Sequence, residues 1–192
     1  MFDVVPTPIP GCVEVRLRRI DDDRGRFVKV FQASRFKALG LPVSQVEQFY
    51  STSREGVIRG LHFQLPPFEH NKLVYCVAGR VLDAVVDLRR GSPTYLHHQT
   101  FELDADQPSL IVIPAGLAHG FLARSALATL VYTVSSEHQP AHDLGIRWDS
   151  AGVAWPVSSP VVSVRDAALT PLAAFESPFT FTPVPVAPEG RA

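Results

Sequence analysis

The segment from Gly56 to Gly79 places four cationic or titratable side chains among the apolar residues of a strand-forming sequence. They are Arg59, His62, His70 and Lys72. An unpaired charge is costly to bury, so a cluster of this kind indicates a surface that binds a polar or anionic ligand. For each residue taken alone, an ordinary structural position is the favoured interpretation. Arg59, His70 and Lys72 would then lie on the solvated face of a strand, and His62 would be a hydrogen-bonded histidine in the core.

A second candidate group is the sequence PAGLAHGF, from Pro114 to Phe121, which follows the apolar run LIVI. Its P-x-G-x-x-H spacing resembles the second motif of cupin barrels, whose histidine, here His119, points into the barrel. The first cupin motif supplies H-x-H, whereas here His62 is followed by Gln64. A zinc ion takes three or four protein ligands, and only His62 and His119 can be placed. We therefore expect no metal.

Composition favours a single domain spanning residues 1–192, with a sizeable core. The formal net charge is −1, with both signs spread along the chain, which does not favour nucleic acid or an anionic membrane as a partner. We find no secretory signal pattern and no apolar stretch near the roughly 20 residues that span a bilayer, so a cytoplasmic location is predicted. Cys12 and Cys76 are distant and lack a CxxC partner, which argues against a disulfide framework or a thiolate zinc site.

The elements that must position these side chains are mostly short strands. Residues 1–20 predict an extended arm leading into a strand, residues 21–31 a turn and a strand, and residues 32–42 a short helix with Ser34 as a possible cap. Further runs of strand length are Leu73–Ala78, Val81–Leu88, His98–Leu103, Leu110–Ile113 and Ala128–Val134. Many short strands with little helix indicate an antiparallel sandwich or barrel. The proline-rich residues 171–192 are expected to form an irregular tail.

A set of sequence blocks covers roughly residues 20 to 170 in a fixed order. The blocks are DRG-x-F at Asp23–Phe27, RGLHFQ at Arg59–Gln64, Lys72 in NKLVYCVAG, VVDLRRGSPTY at Val85–Tyr95, IPAGLAHGF at Ile113–Phe121, LVY at Leu130–Tyr132 and GIRWD at Gly145–Asp149. Together they resemble the dTDP-4-dehydrorhamnose 3,5-epimerase family. The resemblance implies an all-β, cupin-like double-stranded β-helix, or jelly-roll barrel, with one or two short helices. It also implies a homodimer that epimerises a nucleoside-diphosphate 4-keto sugar without metal or other cofactor.

Epimerisation beside a ketone needs a base on one face of the carbon, a donor for the enolate oxygen and an acid on the other face. The resemblance implies His62 as the base, with Asp166 in SVRD fixing its tautomer. It also implies Lys72 as the group near the carbonyl oxygen and Tyr132 as the proton donor. An imidazole with an ordinary pKa near 6.5 suits a base at cytoplasmic pH. The structural alternatives are a turn cap for Asp166, a surface position for Lys72 and simple packing for Tyr132.

Further positions are candidate contacts to the sugar or to the nucleoside diphosphate. Arg24, Arg59 and His119 match family positions of this kind, and a guanidinium fork is well shaped for phosphate oxygens. Asp143 and Arg165 stand where the family commonly has glutamate and lysine. We include both as substrate-contact candidates.

Strand alternation alone would place Arg59 and His62 on opposite faces. Either Gly60 bends the strand, or the two side chains serve different surfaces. His70 has no counterpart role in the family, and we interpret it as a loop histidine between Pro67 and the following strand.

Four positions depart from the family pattern in the region that recognises the nucleotide. Glu47 and Phe49 stand in a segment that often reads Q-x-N, Lys29 replaces a glutamate, and His138 replaces a tyrosine. These changes predict altered substrate recognition, with a base other than thymine or a sugar other than the deoxyhexose that leads to rhamnose. GDP-linked 4-keto heptoses are one such alternative.

Two other functions fit the same fold. A ketoisomerase would also need a base such as His62, although Lys72 and Tyr132 in their family places favour epimerisation. A noncatalytic cupin that binds a sugar nucleotide would be favoured if His62 and Asp166 proved to be far apart and Tyr132 faced outward.

Overall fold

A computed structural model describes residues 2–183 of the chain. Its strands, in chain order, are β1 (Asp3–Pro6), β2 (Val13–Arg16), β3 (Arg19–Asp22), β4 (Gly25–Val28), β5 (Glu47–Arg54), β6 (Ile58–Gln64), β7 (Lys72–Ala78), β8 (Arg80–Asp87), β9 (His98–Asp104), β10 (Ser109–Ile113), β11 (Leu117–Ala123), β12 (Leu127–Val134) and β13 (Asp143–Gly145). The helices are α1 (Ala33–Ala38), α2 (Val164–Ala167) and a 3₁₀ turn at Leu172–Ala174. The expectation of an all-β chain with few short helices is confirmed.

The strands form two large antiparallel sheets and one small hairpin. The six-stranded sheet has the order β1-β2-β10-β7-β12-β5, the five-stranded sheet has the order β13-β6-β11-β8-β9, and β3 pairs only with β4. Most neighbouring strands of the two large sheets are therefore non-consecutive in the chain; the exceptions are β1–β2 and β8–β9. The strands β6 and β11, distant in sequence, are brought side by side, and so are β5 and β12.

The largest apolar cluster lies between the two sheets. Val74 and Leu130 reach it from the six-stranded sheet, and Val85 and Phe121 reach it from the five-stranded sheet, all four almost fully buried. Burial of apolar area is the main force that holds such layers together. The outer faces are covered as well, because Phe36 of α1 packs over the six-stranded sheet and Phe179 lies in the cluster on the other side of the five-stranded sheet.

The structures of the N-terminal arm, helix α1 and the proline-rich tail differ in detail from those predicted from the sequence. The N-terminal arm is itself a strand, β1, which folds back to pair with β2. Helix α1 is confirmed, but its N-cap is Gln32 and not Ser34. The proline-rich tail packs on the barrel as far as it is described, with Phe179 only 5% exposed. The expectation for residues 184–192 lies outside the described residues.

Candidate active site

A cavity of about 700 Å³ opens between the two sheets and beside α2. We call it the main cavity. It is lined by most of the site residues predicted from the sequence: Glu47, Phe49, Arg59, His62, Lys72, His119, Tyr132, His138, Asp143, Arg165 and Asp166. Two predicted residues, Arg24 and Lys29, do not line it. The cavity is therefore formed by residues that are widely separated in sequence and are brought together by the topology.

A bulge at Gly60 brings Arg59 and His62 to the same cavity. His62 pairs with His119 across β6 and β11, but Arg59 pairs with Phe121, so β6 holds one extra residue between these pairs. Gly60 has φ +122°, a conformation that side chains disfavour. A Cβ there would lie 2.6 Å from the Cα of Gly120. Of the two alternatives considered from the sequence, the structure shows the first: the strand bends at Gly60, and Arg59 and His62 face the same cavity.

His62 and Asp166 form a hydrogen-bonded pair at one wall of the main cavity. His62 Nε2 lies 2.7 Å from Asp166 Oδ1, and the Gly60 amide donates to the other carboxylate oxygen at 3.2 Å. Burial opposes the charge on Asp166, but the hydrogen bonds from His62 and Gly60 outweigh it and lower the pKa of Asp166. Within residues 2–183 the other ring nitrogen of His62, Nδ1, has no hydrogen-bond partner. His62 and Asp166 are therefore not far apart; a wide separation would have favoured a noncatalytic protein.

Short local structure holds Asp166 in place. Asp166 lies in the first turn of α2, and Ser163, the N-cap, accepts a hydrogen bond from the Asp166 amide at 3.0 Å. Helix α2 contacts β6. The cap of this turn is therefore Ser163 and not Asp166, whose side chain, only 4% exposed, reaches His62 instead.

A second histidine–carboxylate pair, His119 with Asp83, lies deeper in the protein. The His119 Nε2 to Asp83 Oδ2 distance is 2.7 Å, and both residues are buried. Burial raises the pKa of Asp83, and the neighbouring His119 only partly opposes the rise. Sequence analysis missed this role of Asp83. The available signal was a carboxylate in the middle of an apolar strand, which needs a partner when both faces of the sheet are covered.

Lys72 and Tyr132 approach the cavity from the six-stranded sheet. Lys72 Nζ donates to the His62 carbonyl oxygen at 3.2 Å. Burial lowers the pKa of Lys72 to about 8, against the opposing charges of Asp143 and Asp83. Burial also raises the pKa of Tyr132, so its phenol keeps its proton at neutral pH. Lys72 is therefore a cation and Tyr132 a neutral acid. Both reach the cavity from the six-stranded sheet, and the Lys72 ammonium lies beside the His62 backbone.

The mouth of the main cavity carries hydrogen-bonded polar groups. Glu47 Oε2 accepts a hydrogen bond from the His138 amide at 2.7 Å, and Arg165 pairs with Asp143 at 2.8 Å. His70 lies in the loop before β7, as expected, and it also lines the cavity. Burial and the charge of Lys72 lower the pKa of His70 to about 3, so its imidazole is neutral.

Arg24 and Lys29 belong to a different part of the surface. Arg24 lies in the turn of the β3–β4 hairpin, where it is exposed and pairs with Asp22. Lys29 directly follows β4. Neither side chain meets the other candidates within one chain.

No metal centre or membrane helix is found in the part of the chain that the structure describes. Residues 2–183 contain no group of three or more His, Cys, Asp or Glu side chains placed to hold a metal ion. No helix among them is long and apolar enough to cross a membrane.

Comparison with known proteins decides the family. The family model described as dTDP-4-dehydrorhamnose 3,5-epimerase matches residues 6–174. The dTDP-4-dehydrorhamnose 3,5-epimerase of Shigella flexneri is 37% identical over 168 residues, which cover 86% of this chain and 93% of that protein. The chain belongs to the dTDP-4-dehydrorhamnose 3,5-epimerase family. Members of this family are epimerases, so the enzyme class is isomerase.

Two further relatives show the range of epimerases that this chain resembles in sequence and in fold. A dTDP-4-dehydrorhamnose 3-epimerase of Streptomyces niveus is also 37% identical, over 84% of this chain and 79% of that protein. The crystal structure of the epimerase RmlC of Legionella pneumophila, in complex with dTDP-4-keto-L-rhamnose, has a TM-score of 0.90 and 31% identity, over 95% of this chain and all of that one. The cupin-like fold expected from the sequence is confirmed. Epimerases named for one centre and for two centres are equally similar to this chain.

Proposed function

We propose that the chain epimerises one or both carbons flanking the 4-keto group of a dTDP-linked 4-keto-6-deoxy sugar. The observation that carries the proposal is the His62–Asp166 pair, 2.7 Å apart, in a cavity that also holds Lys72 and Tyr132. The names of the relatives support this substrate class. The reaction breaks and remakes a C–H bond at each centre without changing the oxidation state of the sugar, so proton transfer alone suffices.

His62 is the base in this proposal. Asp166 accepts from Nε2, which fixes the tautomer with Nδ1 unprotonated and stabilises the imidazolium formed when a proton is taken from the sugar. Since the pKa of Asp166 is lowered, the carboxylate stays ionised at neutral pH. An ionised Asp166 can therefore stabilise the positive charge that His62 acquires when it takes the proton.

Lys72 stabilises the enolate that forms when the proton leaves. The negative charge develops on the former carbonyl oxygen, and a partly buried cation acts more strongly there than it would in bulk water. A pKa of about 8 leaves Lys72 mostly protonated at pH 7. His119, held by Asp83, is a second group that can contact the sugar from the cavity floor.

Tyr132 returns a proton to the second face of the carbon. His62 lies on β6 of the five-stranded sheet and Tyr132 on β12 of the six-stranded sheet, so the two groups approach a bound sugar from opposite walls. Inversion requires this arrangement, because a single group would return the proton to the face from which it came. The raised pKa of Tyr132 keeps the phenol protonated until the enolate forms.

The nucleoside diphosphate is proposed to extend towards the mouth of the main cavity. Arg59 and Arg165 supply guanidinium groups for the diphosphate. Glu47, Phe49 and His138 line the cavity at the positions that depart from the family pattern. A binding screen with dTDP, UDP and GDP would show which base these residues accept, and preferential binding of GDP would overturn the dTDP assignment.

Arg24 and Lys29 could contact a ligand only in an assembly. A homodimer is implied by the family resemblance, and in it the β3–β4 hairpin of one chain could meet the main cavity of the other. The homodimer and the cytoplasmic location stay predictions. Sedimentation of the purified protein tests the first, with a monomer as the contradicting result.

The proposal is tested by solvent deuterium exchange. In D₂O the enzyme should introduce deuterium at the carbon beside the keto group and produce the epimer, both visible by proton NMR. dTDP-glucose, which lacks the ketone, serves as a control and should stay unlabelled. If no dTDP-linked 4-keto sugar in a panel exchanges, the proposed function is wrong.

A further inference from the structure

Phe49 stacks directly on Tyr132. The two residues are cross-strand partners on β5 and β12, their ring centroids are 4.8 Å apart, and the ring planes differ by 14°. Sequence analysis placed Phe49 only among the nucleotide contacts. The structure gives it a closer partner, the side chain proposed as the acid.

Three contacts fix the Tyr132 ring. Phe49 covers one face, the His119 ring lies at 6.0 Å with a plane angle of 70°, and the hydroxyl lies 3.3 Å from Ser51 Oγ. Tyr132 is 7% exposed, whereas Phe49 is 45% exposed. Phe49 is thus the outer member of the stack, on a strand at the edge of its sheet.

Phe49 lies at the boundary between solvent and the main cavity. It is almost half exposed, and the cavity that it lines also holds several charged groups. The observation that accounts for an aromatic ring at this position is its parallel overlap with Tyr132, an arrangement that favours one orientation of both rings.

We propose that Phe49 is a positioning residue that holds the Tyr132 phenol in the orientation from which it protonates the enolate. The inference rests on the proposed function. In the step concerned, the O–H bond of Tyr132 breaks and its proton joins the carbon, while the enolate electron pair forms the new C–H bond and the carbonyl is restored. The phenolate left behind regains a proton from water, to which His62 releases the one it removed.

The orientation of Tyr132 determines the fate of the enolate. When the phenol is in place, the proton arrives on the second face and the centre is inverted. When it has moved away, the enolate can recover a proton only from His62, and the substrate is regenerated with its original configuration. In D₂O, His62 exchanges the proton that it removed for a deuteron from solvent, so the second outcome places deuterium in recovered substrate, whereas the first places it in product.

The test is the ratio of deuterium in recovered substrate to deuterium in product, measured by NMR early in the reaction. Phe49→Leu removes the stack and should raise this ratio about two- to tenfold, the range that one aromatic pair can shift between two orientations. Phe49→Tyr keeps a ring and should leave the ratio near the wild-type value. Tyr132→Phe, which lacks the acid, should give the highest ratio of the series.

Tyr50→Leu is the matched control, because Tyr50 is the next residue on β5, is 73% exposed and does not line the main cavity. It should leave the ratio unchanged. If Phe49→Leu does not unfold cooperatively, Phe49→Met, with a longer side chain, replaces it.

Each result is decisive. An unchanged deuterium ratio in a folded Phe49→Leu variant would overturn the proposal. If the ratio is unchanged and dTDP binding is weakened, the proposal is also wrong, because Phe49 is then a nucleotide contact only. If the wild type itself neither exchanges nor inverts, the proposed function fails instead, so the two failures are distinguishable.

Discussion

Lys72→Met should make the folded protein more stable while it removes most of the activity. Burial lowers the pKa of Lys72 from 10.5 to about 8, and each pKa unit corresponds to about 1.36 kcal/mol. Keeping the ammonium charged in the cavity at pH 7 therefore costs about 3 kcal/mol. Methionine avoids this cost with a side chain of similar length, although the charged hydrogen bond to the His62 carbonyl, worth about 2 kcal/mol, is lost. The net gain is about 1 kcal/mol.

The predicted gain in the stability of Lys72→Met over wild type depends on pH. Below pH 8 Lys72 is protonated in both the folded and the unfolded state, so the whole cost is present. Between pH 8 and 10.5 the unfolded state binds more protons at this position than the folded state does, so the contribution of Lys72 to wild-type stability becomes less unfavourable as pH rises. The advantage of Lys72→Met should shrink across this window.

Urea denaturation at pH 7 and at pH 9.5, together with kcat at pH 7, measures both effects. We expect kcat to fall about 10²- to 10³-fold, as for the loss of one group that stabilises an oxyanion. Lys37→Met, on the exposed surface of α1, is the matched control and should change neither quantity. A Lys72→Met variant that is less stable than wild type at pH 7, or that keeps normal kcat, would refute the reasoning.

Two further predictions concern the pair at the cavity wall and the bulge beside it. Asp166→Asn should lower kcat about 10²- to 10⁴-fold with the fold intact, because His62 loses the carboxylate that fixes its tautomer. Steady-state kinetics measure kcat, and circular dichroism shows whether the variant is folded. A folded variant with normal kcat would contradict the prediction. Gly60→Ala should lower the free energy of unfolding by about 2–4 kcal/mol, since its Cβ would lie 2.6 Å from the Gly120 Cα. Gly56→Ala, also at positive φ but with open space around it, should cost about 1 kcal/mol, and equal costs for both would argue against the clash.

The sequence was sufficient for the bounds of five central strands and for most of the cavity wall. Alternating apolar residues and turn residues located β7 to β10 and β12 within about two residues, which is the usual precision for element ends. The resemblance to the family named eleven of the residues that line the main cavity, five within the ordered blocks and six at other positions. Their catalytic roles stay predictions until variants are measured.

What the sequence could not provide depends on contacts between distant strands. The Asp83–His119 pair follows from the register of β8 against β11, and the Phe49–Tyr132 stack follows from that of β5 against β12. The bulge at Gly60 decides which side chains face inward, and strand alternation assumes that no such extra residue exists. These features arise from the closed topology and leave no local pattern.

The most direct test of the account compares wild-type protein with His62→Asn in D₂O, using a dTDP-linked 4-keto-6-deoxy sugar. The wild type should exchange and invert at least one carbon beside the ketone, and His62→Asn should do neither while still binding dTDP. His98→Asn, an exposed histidine outside the main cavity, should behave as wild type. Exchange by His62→Asn at the wild-type rate would contradict the assignment of His62 as the base.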